Sequence, residues 1–212
     1  MRTLPLALVA LAAVQSVACF LDDTDRPRTC PGDIEPFSQA RLTATIREHY
    51  AEPPRVDGVL AGRTLELGCV EVRDGDAIGT KQVRFFDVVP DHSGGRGTDS
   101  DHEIVIAYGQ DAPQPSPIGC DPSLGEAVVS FRYFADVDHQ NVLSTCPGSS
   151  AAPAVTQSPV TIDAAAGAIT AGPLDVYGRE RSAAGTAEDR VEHVIFDRLE
   201  ADIIDPAVAA SL

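Results

Sequence analysis

The fold is decided by residues 126–145, which read EAVVSFRYFADVDHQNVLST. Two runs rich in β-branched and aromatic residues, 126–135 and 141–145, flank the aspartate-rich segment 136–140. Aspartate side chains form hydrogen bonds with nearby backbone in tight turns, and the flanking composition is typical of strands. This stretch therefore predicts a β-hairpin.

Similar strand patterns recur along the chain. In residues 42–47 apolar side chains alternate with polar ones, which predicts a half-buried strand. Further strands are predicted at 64–73, 81–89, 103–108, 159–163 and 168–177, separated by segments rich in Asp, Gly and Pro. The middle of the chain has no helical patterns of the kind that a βαβ fold needs. The sequence therefore predicts a mainly β domain, an antiparallel β-sandwich or open barrel of about seven to nine strands.

Residues 187–204 are compatible with two structures. Apolar residues at 191, 194, 195, 199 and 203 fall at helical spacing, and Pro206 follows as a stop signal. Leu199, Ala201 and Ile203 also alternate with polar residues, which is the period of a strand. A C-terminal helix and a further strand both remain open, with residues 206–212 as a tail.

The first residues have the pattern of a signal peptide. Arg2 precedes an apolar run at 4–14, which is followed by the small-residue stretch 16–18. The run is shorter than the roughly 20 residues that a permanent membrane-spanning helix needs. We therefore expect residues 1–18 to be removed during export.

Cysteine follows the expected cleavage site directly. The segment Ser16-Val17-Ala18-Cys19 resembles the lipobox of bacterial lipoproteins, in which a diacylglyceryl group is attached to the cysteine. The chain's many arginines, with a single lysine, also resemble envelope lipoproteins of Gram-negative bacteria with GC-rich genomes. The resemblance implies a lipidated Cys19 and a membrane partner through the lipid anchor alone. The polar, proline-bearing composition of the next residues indicates a tether at 19–38, and the remaining length indicates a single domain at 39–205. Soluble export after Ala18, into the periplasm or the medium, is the alternative.

The charge of the chain restricts its partners. The chain carries 32 acidic and 16 basic side chains, giving a net charge of −16. Such a surface repels the phosphate backbones of nucleic acids and anionic lipid headgroups. We therefore expect no nucleic-acid partner.

Four cysteines besides Cys19 predict two disulfides in an oxidising compartment. They are Cys30, Cys69, Cys120 and Cys146, and they allow three pairings. The hairpin at 126–145 would bring Cys120 toward Cys146, which leaves Cys30 for Cys69. No C-x-x-C or H-x-x-x-H spacing indicates a zinc site.

The strongest catalytic candidate is Ser93. The segment Asp91-His92-Ser93-Gly94-Gly95 resembles the nucleophile segment of trypsin-like serine proteases, but His92 stands where that family has aspartate. No segment upstream resembles the one that carries the family's catalytic base, so we assign no catalytic residue. A serine hydrolase that uses Ser93 with His92 or His139 is the alternative function.

Two aspartate-rich segments are candidate calcium ligands. One contains Asp136, Asp138 and Asn141, and the other has Asp99, Asp101 and Glu103. Neither has the spacing of an EF-hand loop, so we predict no metal, and no cofactor motif is present either. The sequence favours a non-enzymatic binding or structural module of the cell envelope.

Overall fold

The computed structural model describes residues 29–87, 102–136, 139–148, 151–181 and 187–212. The predicted signal peptide, Cys19, His92 and Ser93 lie outside these residues. The described chain contains twelve strands and one short α-helix. They are β1 (Ala40–Glu52), β2 (Val56–Asp57), β3 (Thr64–Leu67), β4 (Cys69–Asp74), β5 (Thr80–Phe86), β6 (His102–Gly109), β7 (Val128–Asp136), β8 (His139–Ser144), β9 (Thr161–Asp163), β10 (Ala168–Ala171), β11 (Leu174–Arg181), β12 (Ala187–Ile203) and α1 (Pro206–Ala209).

The strands form one antiparallel sheet that is not closed by strand pairing. Its order is β2-β1-β12-β11-β8-β7-β6-β5-β4, while β3 also pairs with β1 and β10 pairs with both β12 and β9. The mainly β, antiparallel fold class is thus confirmed. The strand count exceeds the predicted seven to nine because the two-residue strand β2 was not predicted, and because two predicted strands are interrupted.

The first interruption lies within the predicted strand at 64–73. Gly68 separates β3 from β4, and the ring of Phe37 lies where a side chain at this position would project. The Phe37 N–H also donates to the Gly68 carbonyl. Because β3 pairs with β1 and β4 pairs with β5, one bent segment contacts both ends of the strand order. The bend at Gly68 therefore connects the β1 side of the sheet with the β4 side through the chain, although strand pairing does not close the sheet.

The second interruption lies within the predicted strand at 168–177. Gly172 has a positive φ of 124°, and a Cβ there would lie 2.4 Å from the Asp197 carbonyl oxygen. Pro173 follows and lacks a backbone N–H for the ladder. The chain therefore leaves one strand at Ala171 and starts β11 at Leu174.

The hairpin that the sequence predicted is present. β7 and β8 pair from Ser130 with Ser144 to Asp136 with His139. The Cys120–Cys146 disulfide lies near the open end of this hairpin, with the two Cα atoms 5.2 Å apart. β7 ends at Asp136 and β8 begins at His139, so both strand ends fall in the aspartate-rich segment.

Residues 187–204 form a strand rather than a helix. β12 pairs with β1 along nearly its whole length and with β11 on its other side. Val194, Ile195 and Phe196 are all buried, because this part of the strand is covered on both faces. When both faces of a strand are buried, apolar residues no longer alternate with polar ones, and their spacing can resemble that of a helix. The only α-helix in the described chain begins at Pro206, with Asp205 as its N-cap.

The inner face of the sheet holds one continuous apolar core. Its largest side chains include Phe85, Ile104, Phe131, Leu174 and Phe196, all fully buried. These residues alternate with outward-facing ones along their strands, so register alone directs them inward. Burying side chains of this size stabilises the fold by about 1.5–3 kcal/mol each relative to exposure.

A second disulfide ties the residues before β1 to the sheet. Cys30 bonds to Cys69 with the Cα atoms 5.5 Å apart, and both pack against Phe86. Together with Cys120–Cys146, this is the pairing favoured from the sequence. Two disulfides indicate a protein of an oxidising compartment outside the cytoplasm. The described chain contains no helix with the length and apolarity needed to cross a membrane.

Candidate functional site

Asn141 and Glu103 are the candidate calcium ligands that the structure describes, and both are engaged elsewhere. The Asn141 amide donates to Tyr133 Oη and to Glu192 Oε2. Glu103 accepts from Arg84 at 2.8 Å and lies 3.5 Å from Arg132. The described residues contain no group of three side chains that could hold a metal ion. His139 pairs with Asp136 through the backbone, and its side chain is not described.

A buried polar network lies on the inner face beside the apolar core. Glu192 is 4% exposed, and its carboxylate accepts hydrogen bonds from His49 Nε2 at 2.7 Å, from Tyr133 Oη and from the Asn141 amide at 3.1 Å. These four residues come from β1, β7, β8 and β12. A buried carboxylate is tolerated when donors satisfy it in this way. The inner network therefore ties four strands together.

The tautomer of His49 follows from its backbone contact. The Leu60 N–H donates to His49 Nδ1 at 3.1 Å, so Nδ1 carries no proton and Nε2 donates to Glu192. Gly58 lies directly against the ring, because a Cβ at Gly58 would lie 2.1 Å from Nδ1. With both nitrogens engaged, His49 has no free nitrogen to serve as a general base.

A glycine permits the contact between β8 and β12 across β11. Gly178 pairs in register with Glu192, and a Cβ at this position would lie 3.3 Å from both Val142 O and Leu143 Cδ2. A side chain at position 178 would therefore require Val142 and Leu143 of β8 to move by a few tenths of an ångström. No sequence pattern marked this glycine.

Asp87 and His102 form a second histidine–carboxylate pair, next to Tyr133 of the inner network. Asp87 accepts from the backbone N–H of His102 at 2.8 Å and contacts its Nδ1 at 3.0 Å. His102 pairs in register with Tyr133, and its side chain is 23% exposed. The two residues flank the segment 88–101 that contains Ser93.

The outer face of β1, β12 and β11 carries a stack of rings. His193 lies between Tyr50 and Tyr177, with ring centroids 5.0 and 5.4 Å away and nearly parallel planes. Arg55 covers the other side of Tyr50 at 3.7 Å. Asp175, which is completely buried, contacts His193 Nδ1 at 2.9 Å. Burial and then the charge of Asp175 raise the pKa of both tyrosines.

A groove of about 510 Å³ lies on the outer face of β4 to β8. We call it the arginine groove: Arg73, Arg84 and Arg132 around a floor that includes Val105, Ala107 and Val128. Ala107 pairs in register with Val128, and Val105 pairs with Ser130. Their short side chains leave the depression that the arginines border.

The arginines of the groove are held by their neighbours. Arg84 donates to Glu103, which is buried, and its guanidinium lies 4.3 Å from the Phe86 ring centroid. Burial alone would lower the pKa of Arg84, but the hydrogen bond and charge of Glu103 outweigh this and raise it. Arg73 donates twice to the Gln82 amide oxygen, at 2.8 and 3.1 Å. The cationic groups are thus placed by contacts within the protein.

A second groove, of about 600 Å³, is lined mainly by prolines and other uncharged residues. Its lining includes Pro115, Pro117, Pro153, Pro159 and Tyr177, and no charged residue lines it. With few polar groups to orient a ligand, it offers less basis for selective binding.

Sequence reasoning missed the arginine groove. Its residues are distributed over five strands, so no local motif joins them. Alternation in the predicted strands at 81–89 and 126–135 does place Arg84 and Arg132 on the face opposite Phe85 and Phe131. That signal gives the direction of each side chain but not which strands are neighbours.

Comparison with protein-family models, with curated proteins and with solved structures returned no match.

Proposed function

We propose that the protein is a non-enzymatic binding module of the bacterial envelope and that the arginine groove is its binding surface. The volume of the groove, about 510 Å³, lies within the range typical of small-molecule sites. It combines the apolar surface of Val105, Ala107 and Val128 with several charged and polar side chains that could orient a ligand.

The rigidity of the groove supports the same function. Its floor is built on hydrogen-bonded strands, and Glu103 already holds Arg84. A ligand would therefore pay little conformational entropy to order these side chains, which favours binding.

Membrane attachment completes the proposal. A cleavage site directly before Cys19, and four further cysteines that pair among themselves, support lipidation of Cys19. A multiply acylated cysteine anchors stably, since each buried methylene contributes about 0.8 kcal/mol. The wild type should enter the detergent phase on phase separation, whereas Cys19→Ser should remain in the aqueous phase. If the wild type stays in the aqueous phase with an unmodified Cys19, the protein has no lipid anchor and is exported in soluble form.

Binding is tested with a fragment library of neutral, anionic and cationic compounds, followed by amide chemical shifts. We expect the shifts caused by binding to cluster at Val105, Ala107 and Val128. Ala107→Trp fills the groove and should abolish them, whereas Thr43→Trp, an outward position on β1, should not. If no fragment of any charge shifts groove amides, the groove is not a binding site.

A second candidate function is a serine hydrolase, and the Asp87–His102 pair favours it. An aspartate at Nδ1 orients a histidine so that Nε2 can act as a base. A fluorophosphonate probe tests this function. Labelling that both Ser93→Ala and His102→Ala abolish would establish the hydrolase, whereas an unlabelled wild type would exclude a reactive serine of this kind.

A further inference from the structure

We infer that the arginine groove binds a small organic dicarboxylate with an aliphatic spine. This inference rests on the proposed binding function and adds the chemical class of the ligand. It follows from the charge of the lining, the arrangement of the arginines and the apolar floor.

The charge of the groove differs in sign from that of the chain. Three arginines and two carboxylates, Asp76 and Glu103, line it, whereas the chain as a whole carries −16. Arg84 and Arg132 both contact the carboxylate of Glu103, and Arg84 also lies 3.5 Å from the carboxylate of Glu71. Arginine in such an environment presents further N–H donors, whose fork geometry matches a carboxylate.

The arginines lie at different positions along the strands. Arg73 is in the register row of Ala107, and Arg132 is in the row of Glu103. Four residues of an antiparallel strand span about 14 Å. The cationic groups therefore border both ends of the groove, which suits a ligand with one acidic group at each end.

The groove between the arginines contains an apolar strip. Val105, Ala107 and Val128 are half-buried and face outward, beside the polar lining residues Thr80, Gln82 and Ser130. The strip gains from contact with methylene groups of a ligand. An aliphatic dicarboxylate therefore matches both the ends and the middle of the groove.

Titration calorimetry at low salt tests this, with the full chain and α,ω-dicarboxylates from glutarate to suberate as probes. We expect saturable binding of at least one of them and much weaker binding of hexanoate, which has one carboxylate. The diamine cadaverine should not bind. Added salt should weaken the dicarboxylate, because part of the attraction is screened.

Variants locate the site. Arg73→Gln and Arg132→Gln should each weaken binding about tenfold or more, because each removes a charge-assisted contact. Arg198→Gln is the matched control, since Arg198 is exposed on β12 away from the groove. Thermal unfolding verifies that each variant is folded. Equal weakening by the control would place the anion elsewhere and overturn the inference.

The remaining outcomes separate the two proposals. If dicarboxylates fail to bind or cadaverine binds equally well, while neutral or cationic fragments shift groove amides, the ligand class is wrong and the binding function stands. If neither dicarboxylates nor any fragment binds in the groove, both proposals fail.

Discussion

His49 and His193 are each buried beside a carboxylate on neighbouring strands, yet they face opposite sides of the sheet and are held differently. His49 is fixed on the inner face by hydrogen bonds at both nitrogens. His193 is fixed on the outer face by one carboxylate and two stacked tyrosines. Loss of an inner partner leaves donors unpaired in the core, whereas loss of an outer ring removes only one contact surface. Single substitutions in the inner network should therefore lower the free energy of unfolding more than single substitutions in the outer stack.

The largest effect is expected on the inner face. Glu192→Leu leaves His49, Tyr133 and Asn141 without their shared acceptor, and each unsatisfied buried donor is costly. We expect the free energy of unfolding to fall by about 3–5 kcal/mol, measured by denaturant titration. Glu200→Leu, on the same strand but partly exposed, should cost less than about 1 kcal/mol. Similar losses in both variants would mean that the inner network contributes little.

On the outer face, Asp175→Asn keeps the shape but removes the charge that contacts His193. It should lower the unfolding free energy by about 1–2 kcal/mol, because the charge-assisted hydrogen bonds to His193 and to the Ala154 N–H become neutral ones.

Long-range nitrogen NMR of the wild type compares the protonation of the two histidines directly. In the wild type His49 should show the Nε2–H tautomer and His193 a proton on Nδ1. If both histidines show the same neutral tautomer, the proposed difference between the two sites is wrong.

Removal of one ring of the outer stack should have a smaller effect. Tyr177→Leu retains an apolar side chain but loses the stacked contact with His193, so we expect a loss of about 0.5–1.5 kcal/mol. Tyr50→Leu is the companion variant and should cost a similar amount. A loss as large as that of Glu192→Leu, in thermal or denaturant unfolding, would show that the stack is as indispensable as the inner network.

The smallest effect at neutral pH is expected at Tyr108. Its hydroxyl is buried and has no hydrogen-bond partner among the described residues, unlike that of Tyr133, so Tyr108→Phe should change stability by less than about 1 kcal/mol at pH 7. Burial raises the pKa of Tyr108 to about 12.

Alkaline unfolding gives Tyr108 a distinct signature. Because the folded pKa lies above the unfolded value near 10, its contribution is intact below pH 10 and is lost as pH rises through about 12. Tyr108→Phe should therefore avoid about 2–3 kcal/mol of the alkaline loss, measured by denaturant titration at stepped pH. Identical alkaline profiles for wild type and variant would show that Tyr108 ionises freely.

The elements that were predictable are those whose information is local. The hairpin at 126–145 combines two strand-like runs with an aspartate-rich turn, and its closure also favoured the Cys120–Cys146 pair. The strand β12 was ambiguous because burial on both faces hides its period of two. The histidine–carboxylate pairs join residues as far apart as His49 and Glu192, and only the pairing of β1 with β12 brings them together.

The bent segment centred on Gly68 affects how readily the protein would aggregate through its sheet edges at high concentration. An open sheet usually presents an unpaired edge strand to which another chain can add. Here the outer edge of β1 is occupied by β2 and β3, and β4 carries the charged residues Glu71, Arg73 and Asp74. The other edge of β4 has no strand paired to it among the described residues, and these charged side chains disfavour edge-to-edge aggregation there.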